Sequence, residues 1–406
     1  MSPYTHPAVE INLCPEAVLD TWCAVERAVL LAQAEHGQIP VAWAEQAFEA
    51  PAPSVEAWQA ATAECGHEVV GFLLAWGLEH VHIGLTSSDV TDTGLALRLR
   101  EVNHVLIEEG FRLREALLAR AAEHADTPRL ARTHGQSAVI DTLGHRLLDL
   151  ALMVSRCVLR FQEACEWVEV AKIGGPSGGH HEISPDVADR AAEHLRLPRA
   201  RVASQIYPRD SLAAWGATLA GLATACEAVA VQIRLWAQEG IDEAREGASE
   251  GRAGSSAMPG KRNPIEAERA CGLARVVVAD STALWANVAS WHDRDISHSS
   301  VERLLVGQMA NTTGYLLNLM TRLVTDLVFN TEQMARNIAT ARNTSAHARL
   351  TKIQRAGVSY AAAREMAADP AVRVDDLDLR PDLGHLAEIT RLLGSRPAES
   401  NKEQHS

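Results

Sequence analysis

The sequence predicts an all-α protein, and two observations carry that prediction. Residues 95–124, 137–171 and 211–239 are proline-free runs of about 30 residues with apolar side chains at helical spacing. At 1.5 Å per residue each makes a helix on the order of 45 Å long. The composition agrees, with 4% aromatic residues, an excess of Ala, Leu, Val and Glu, and Gly and Pro gathered in a few places.

The first element is a helix over 15–36, where Val18, Leu19, Trp22, Val25 and Val29 recur at three- and four-residue steps until Gly37 and Pro40 end the pattern. Next, the short hydroxyl and carboxyl side chains of Thr86-Ser87-Ser88-Asp89-Val90-Thr91-Asp92-Thr93 stand ahead of a long helix as its cap, with hydrogen bonds to offer an anion at its N-terminus. The run over 213–238 has only Glu227 and Arg234 as charges, so its helix must be buried nearly all round. That places it in a bundle completed by other subunits. A membrane span is the competing reading, opposed by those charges and by the absence of aromatic or basic flanks at both ends. Glycine-rich breaks fall at 174–179 and 247–263. The expected division is a helical domain over 1–92, a long-helix domain over 93–341 and a short helical domain over 342–406, with a disordered tail from 395.

The formal net charge of −14 argues against nucleic acid or an anionic membrane as partner. Residues 1–12 carry no basic and apolar leader pattern, so the expected location is the cytoplasm. Cys14, Cys23, Cys65, Cys157, Cys165, Cys226 and Cys271 are scattered, with no C-x-x-C; free thiols are expected, and no zinc site.

The most specific segment is Gly254-Ser255-Ser256-Ala257-Met258-Pro259-Gly260-Lys261-Arg262-Asn263-Pro264. A glycine-rich loop with two hydroxyls, two cations and an amide can hold a carboxylate and close over it. A serine acts as a base only where positive surroundings stabilise its alkoxide. Arg132-Thr133-His134-Gly135-Gln136 supplies a histidine, whose titration range suits acid–base work.

Together these segments resemble the fumarase/aspartase superfamily, whose loop Gly-Ser-Ser-x-Met-Pro-x-Lys-x-Asn-Pro is matched at every fixed position. Within it, the adenylosuccinate lyase family is closest. His82 precedes Thr86–Thr93 as in that family, Gln205 precedes Arg209-Asp210, and Trp291-His292-Asp293-Arg294-Asp295-Ile296-Ser297-His298-Ser299-Ser300-Val301-Glu302-Arg303 follows its pattern. The resemblance covers roughly residues 15–370. It implies a homotetramer with active sites shared among three subunits, a dicarboxylate small-molecule substrate, and neither metal nor organic cofactor. Ser255 is implied as the base, His134 as the acid and Glu268 as the carboxylate orienting it. His67, His82, Thr86, Ser87, Gln205, Lys261, Asn263, Arg294, Ser299 and Arg303 are implied as substrate-binding residues. The implied reaction is elimination of fumarate by C–N cleavage of an N-succinyl compound.

Several positions depart from the family. Its N-terminal Arg-Tyr, which grips a phosphate, is Pro3-Tyr4 here, its His-Asp is His67-Glu68, and its Pro-Thr-Thr is Ile140-Asp141-Thr142. The turn at 174–179 continues as His180-His181, and the C-terminal domain is short. On a helix Asp141 faces the same way as His134, seven residues earlier, and disfavours an anionic leaving group. Alternatives are a paralogue acting on another substituted succinate such as nitrosuccinate, a 3-carboxymuconate-cycloisomerase-like enzyme, and an inactive structural paralogue. The intact Ser255, Lys261, Asn263 and His134 argue against the last.

Overall fold

The computed structural model describes residues 3–247, 261–342 and 344–369. A short α1 (Pro7–Glu10) leads into α2 (Pro15–Glu35), α3 (Val41–Glu49), α4 (Val55–Cys65) and α5 (Glu68–Trp76). The long α6 (Ser87–Glu123) precedes a hairpin of β1 (Pro128–Thr133) and β2 (Gln136–Thr142), from which α7 (Leu143–Val168) runs on directly. There follow α8 (Pro185–Leu195), the long α9 (Asp210–Trp236) and β3 (Ala244–Arg245), then α10 (Ile265–Ala286) and α11 (Ser297–Thr325). The described chain closes with β4 (Val328–Phe329), α12 (Thr331–Thr340), α13 (Ala346–Arg355) and α14 (Tyr360–Ala368). The protein is thus mostly helical, and among the described residues the two sheets are two-stranded antiparallel pairs, β1 with β2 and β3 with β4.

The chain forms two compact units. One comprises Met1–Glu109, Cys157–Thr224 and Leu273–Leu317; the other comprises Gly110–Arg156, Ala225–Gly272 and Asn318–Ser406. The boundaries fall inside α6, α7, α9, α10 and α11. A linear division at residues 92 and 341 is proposed on sequence grounds alone, and residue 92 lies within α6.

In the first unit α2 buries most of the expected stripe: Leu19, Trp22, Val25 and Val29 are all at most 4% exposed, while Val18 is partly buried against the same core. They share one core with Phe72 and Trp76 of α5 and with Val187 and Ala191 of α8. Burying a side chain such as Phe72 contributes about 1.5–3 kcal/mol. Helix α4 starts at Ser54, whose Oγ accepts the Ala57 N–H, and ends at Gly66 in the left-handed conformation. A Cβ on Gly71 of α5 would come within 2.4 Å of Thr62 Oγ1, so only glycine lets these two helices approach so closely.

Two sequence expectations need correction. The long helix after residue 93 already begins at Ser87, so the hydroxyl-rich motif forms its first turns instead of preceding it. Asp89 closes that first turn: its carboxylate accepts the Thr86 N–H (2.7 Å), and its own N–H donates to the Thr86 carbonyl (2.9 Å). The run over 137–171 is not one helix, because residues 136–142 form β2. Asp141 therefore belongs to a strand, and its supposed common helical face with His134 does not exist. Its buried carboxylate takes Arg129 (2.8 Å) and His145 Nδ1 (3.0 Å), a local ion cluster within the second unit.

Helix α9 is long and apolar enough to cross a membrane, yet 56% of its most apolar window is already buried. Val231 and Leu235 on it remain exposed within one chain.

Candidate active site

The expected site residues divide by unit. His67, His82, Thr86, Ser87, Gln205, Arg294, Ser299 and Arg303 lie in the first; His134, Lys261, Asn263 and Glu268 lie in the second. Ser255 lies outside the described residues.

In the first unit, three motifs far apart in sequence meet. Ser88 Oγ donates to the Gln205 carbonyl, and the Gln205 side-chain oxygen accepts from Arg294 (3.2 Å). Arg209 forks between two carboxylates, bonding both oxygens of Asp92 at 2.9 Å and Glu302 at 2.8 Å. Asp92 also accepts the Tyr207 N–H (2.8 Å). The N-terminal turns of α6, the loop before α9 and the start of α11 are thereby tied at one place. Arg303, one helical turn beyond Ser299, donates from Nε to Ser299 Oγ (3.1 Å) and from Nη2 to the Glu68 carboxylate.

The electrostatics of this knot follow from burial. Burial pushes the Asp92 carboxyl up, but Arg209 and the Tyr207 N–H outweigh it and hold Asp92 below its usual range. Glu302 keeps a raised value, because burial outweighs its share of the same arginine. His298, 3% exposed, is lowered first by burial and then by Arg209. Its Nδ1 and the Arg294 Nε are buried without a hydrogen-bond partner. In the sequence His298 stands only as part of the Trp291–Arg303 motif, with no role of its own. Among the described residues no His, Cys, Asp or Glu cluster could hold a metal ion.

Two histidines of the first unit present opposite ring nitrogens. His67 caps α5, its Nδ1 accepting the Val70 N–H (3.3 Å), so in the neutral ring the hydrogen is on Nε2. His82 has a left-handed backbone (φ 58°), and its Nδ1 meets Glu26 Oε1 at 2.6 Å. Glu26, fully buried on α2, also accepts the His82 N–H (2.8 Å). The sequence carried a signal for Glu26: a carboxylate four residues after Trp22 and three before Val29 sits inside the apolar stripe and requires a partner.

In the second unit, His134 and Gly135 are the two central residues of the β1–β2 turn, with φ of 53° and 73°. Both positive angles are what a two-residue type I′ hairpin demands, and they leave the His134 ring exposed at the tip. The hairpin is anchored by Arg132, which bonds buried Glu243 at 2.8 and 3.1 Å; Asn337 of α12 holds the same carboxylate (2.8 Å). Lys261, Arg262, Asn263 and Glu268 line an open cleft of about 870 Å³ with Arg234 and Gln238 of the α9 end. The Glu246 carboxylate accepts the N–H groups of Glu266 (3.3 Å) and Ala267 (2.9 Å), capping α10. Glu268 is exposed, and no hydrogen bond joins it to His134 within one chain.

Residues 54–279 match a family described as Lyase. The chain is 36% identical over 329 residues to adenylosuccinate lyase of Thermotoga maritima, covering 80% of this chain and 76% of that protein. It is 35% identical to adenylosuccinate lyase of Bacillus subtilis, covering 82% and 79%. Among solved structures it resembles 3-carboxy-cis,cis-muconate lactonizing enzyme from Pseudomonas putida, with TM-score 0.80 and 25% identity over 90% of this chain and 85% of that one. A fumarate lyase from Mesorhizobium sp. BNC1 matches in fold, with TM-score 0.80 and 20% identity over 90% and 86%. The chain belongs to the fumarase/aspartase superfamily and is an enzyme of its fumarate-releasing carbon–nitrogen lyase class.

Proposed function

We propose that this enzyme eliminates fumarate from an N-succinyl substrate, with adenylosuccinate the favoured one. The observation that carries the reading is the 36% identity to an adenylosuccinate lyase over four-fifths of the chain, beside the intact Ser255, Lys261, Asn263 and His134. The alternative of a muconate cycloisomerase rests on the weaker 25% identity.

In this reading Ser255, as alkoxide, removes the proton from the carbon beside a succinyl carboxylate. Charge develops on that carboxylate, where Lys261, Asn263, Thr86 and Ser87 stabilise it. The C–N bond then breaks, His134 gives its proton to the departing nitrogen, and fumarate and the free amine leave. Glu268 orients His134 from another chain. Gln205, Arg294, Ser299, Arg303, His67 and His82 hold the leaving-group side. No metal or organic cofactor takes part in these steps.

A shared site requires assembly, and we propose a cytoplasmic homotetramer that does not persist as folded monomers. Exposed Val231 and Leu235 on α9, with Val276 and Trp285 on α10, support it. Sedimentation is expected to give a tetramer; a stable compact particle of 43.9 kDa at low concentration would contradict it.

The leaving group is tested by comparing kcat/KM for adenylosuccinate and for N-succinyl amino compounds. Arg303→Ala is expected to raise KM for adenylosuccinate about tenfold or more, since a charge-assisted contact contributes about 1.5–3 kcal/mol. An unchanged KM, with the nucleotide a poor substrate, would move the assignment to a smaller N-succinyl compound.

A further inference from the structure

We infer that Glu26 is a positioning residue that sets the tautomer of His82, so that His82 meets the substrate as a hydrogen-bond acceptor and recognises an N–H or O–H group on the leaving side. The inference rests on the fumarate-releasing reading above. Both Glu26 oxygens are committed to His82: Oε2 takes its backbone N–H at 2.8 Å, and Oε1 lies 2.6 Å from ring Nδ1. A carboxylate accepts, so Nδ1 carries the hydrogen and the neutral ring presents a lone pair at Nε2.

The placement is built in, since Glu26 is 0% exposed while the His82 side chain keeps 20% exposure. The backbone is fixed around it. His82 holds φ 58°, unfavourable for a residue with a Cβ. Gln33, seven residues after Glu26 and on the same face of α2, donates to the Ile83 carbonyl (3.1 Å). Gly84 (φ 74°) faces Ile183 so closely that a Cβ would lie 2.9 Å from it. Thr86, at the end of this segment, is held by Asp89 (2.7 Å). Two buried polar side chains of α2 thus fix one short loop, and the ring nitrogen left over is Nε2. His67 has the reverse arrangement, a donor at Nε2, because the Val70 N–H occupies its Nδ1. The pair therefore offers one donor suited to an anion and one acceptor suited to an N–H or O–H.

Two measurements on the intact enzyme test this. In 15N-histidine-labelled wild type, with His82 assigned by comparison with His82→Asn, the neutral ring is expected to carry its hydrogen on Nδ1 and to leave Nε2 bare. Protonated Nε2 would overturn the inference. In Glu26→Gln the amide oxygen keeps the His82 N–H, and the amide NH₂ turns toward Nδ1, moving the ring hydrogen to Nε2. That variant is expected to raise substrate KM about tenfold or more, a lost hydrogen bond with an unpaired donor left behind. Its inhibition constant for fumarate, which has no such donor at neutral pH, is expected to stay within about twofold. Equal losses of substrate and fumarate binding would mean that Glu26 merely supports the fold. If fumarate neither forms nor inhibits in wild type, the functional reading fails, while the nitrogen spectrum still decides the tautomer.

Discussion

Replacing His134 by asparagine is expected to lower kcat by a factor of about 10²–10⁴, the usual contribution of a positioned general acid, while helicity and assembly stay intact. Asparagine is the informative substitution because His134 sits at φ 53° in the hairpin turn, where asparagine is tolerated and alanine adds strain. Ser255→Ala is expected to cost at least as much, since without the base the carbon–hydrogen bond does not open. Mixing the two inactive variants under conditions that exchange subunits is expected to restore part of the activity if, as proposed, each site of the homotetramer draws these groups from different chains. Near-normal turnover in either single variant would remove that residue from its role. Failure of every hybrid would place both groups on one chain.

Replacing Arg209 by methionine is expected to destabilise the protein by about 3–5 kcal/mol, the cost of breaking a buried ion pair from one side. The guanidinium, 9% exposed, is the main group that offsets the burial of Asp92, ahead of the Tyr207 N–H, and the main one that offsets the burial of Glu302. The pH dependence distinguishes this cause from lost packing. In wild type Asp92 titrates below its ordinary value, so its contribution is complete above about pH 3.9 and drains away as pH falls further. Glu302 titrates above its ordinary value, so the stability tied to its neutral form is present in acid and is lost as pH rises through that value. Without Arg209 both carboxyls prefer to be neutral. The variant's deficit is then largest near neutrality and shrinks as pH falls through the carboxylate range. Urea melts at several pH values read it directly; a deficit independent of pH would assign the effect to packing.

What could be read from the sequence follows the strength of each local pattern. The stripe of α2 is regular and its stop signals are adjacent, so its boundaries agree to within a residue. The stretch after His134 misled because Ala138, Val139 and Ile140 continue the apolar density of α7, and a run of that length does not distinguish strand from helix. The legible clue was His134-Gly135, with glycine at the second central position of a two-residue turn. The knot of Asp92, Arg209 and Glu302 was named through its motifs but not as a unit, since pairing across 93 to 117 residues is a property of the fold. The helical placement of Asp141 beside His134 failed for the same reason: its partner, Arg129, is a neighbour only across the hairpin.

The central claim is that this enzyme releases fumarate from adenylosuccinate. It is tested by incubating the purified protein with adenylosuccinate and quantifying both products by chromatography alongside the growth of fumarate absorbance. The account predicts fumarate and AMP appearing in equal amounts, with both absent in Ser255→Ala and in His134→Asn. Stable adenylosuccinate in the presence of the assembled wild-type protein would contradict it.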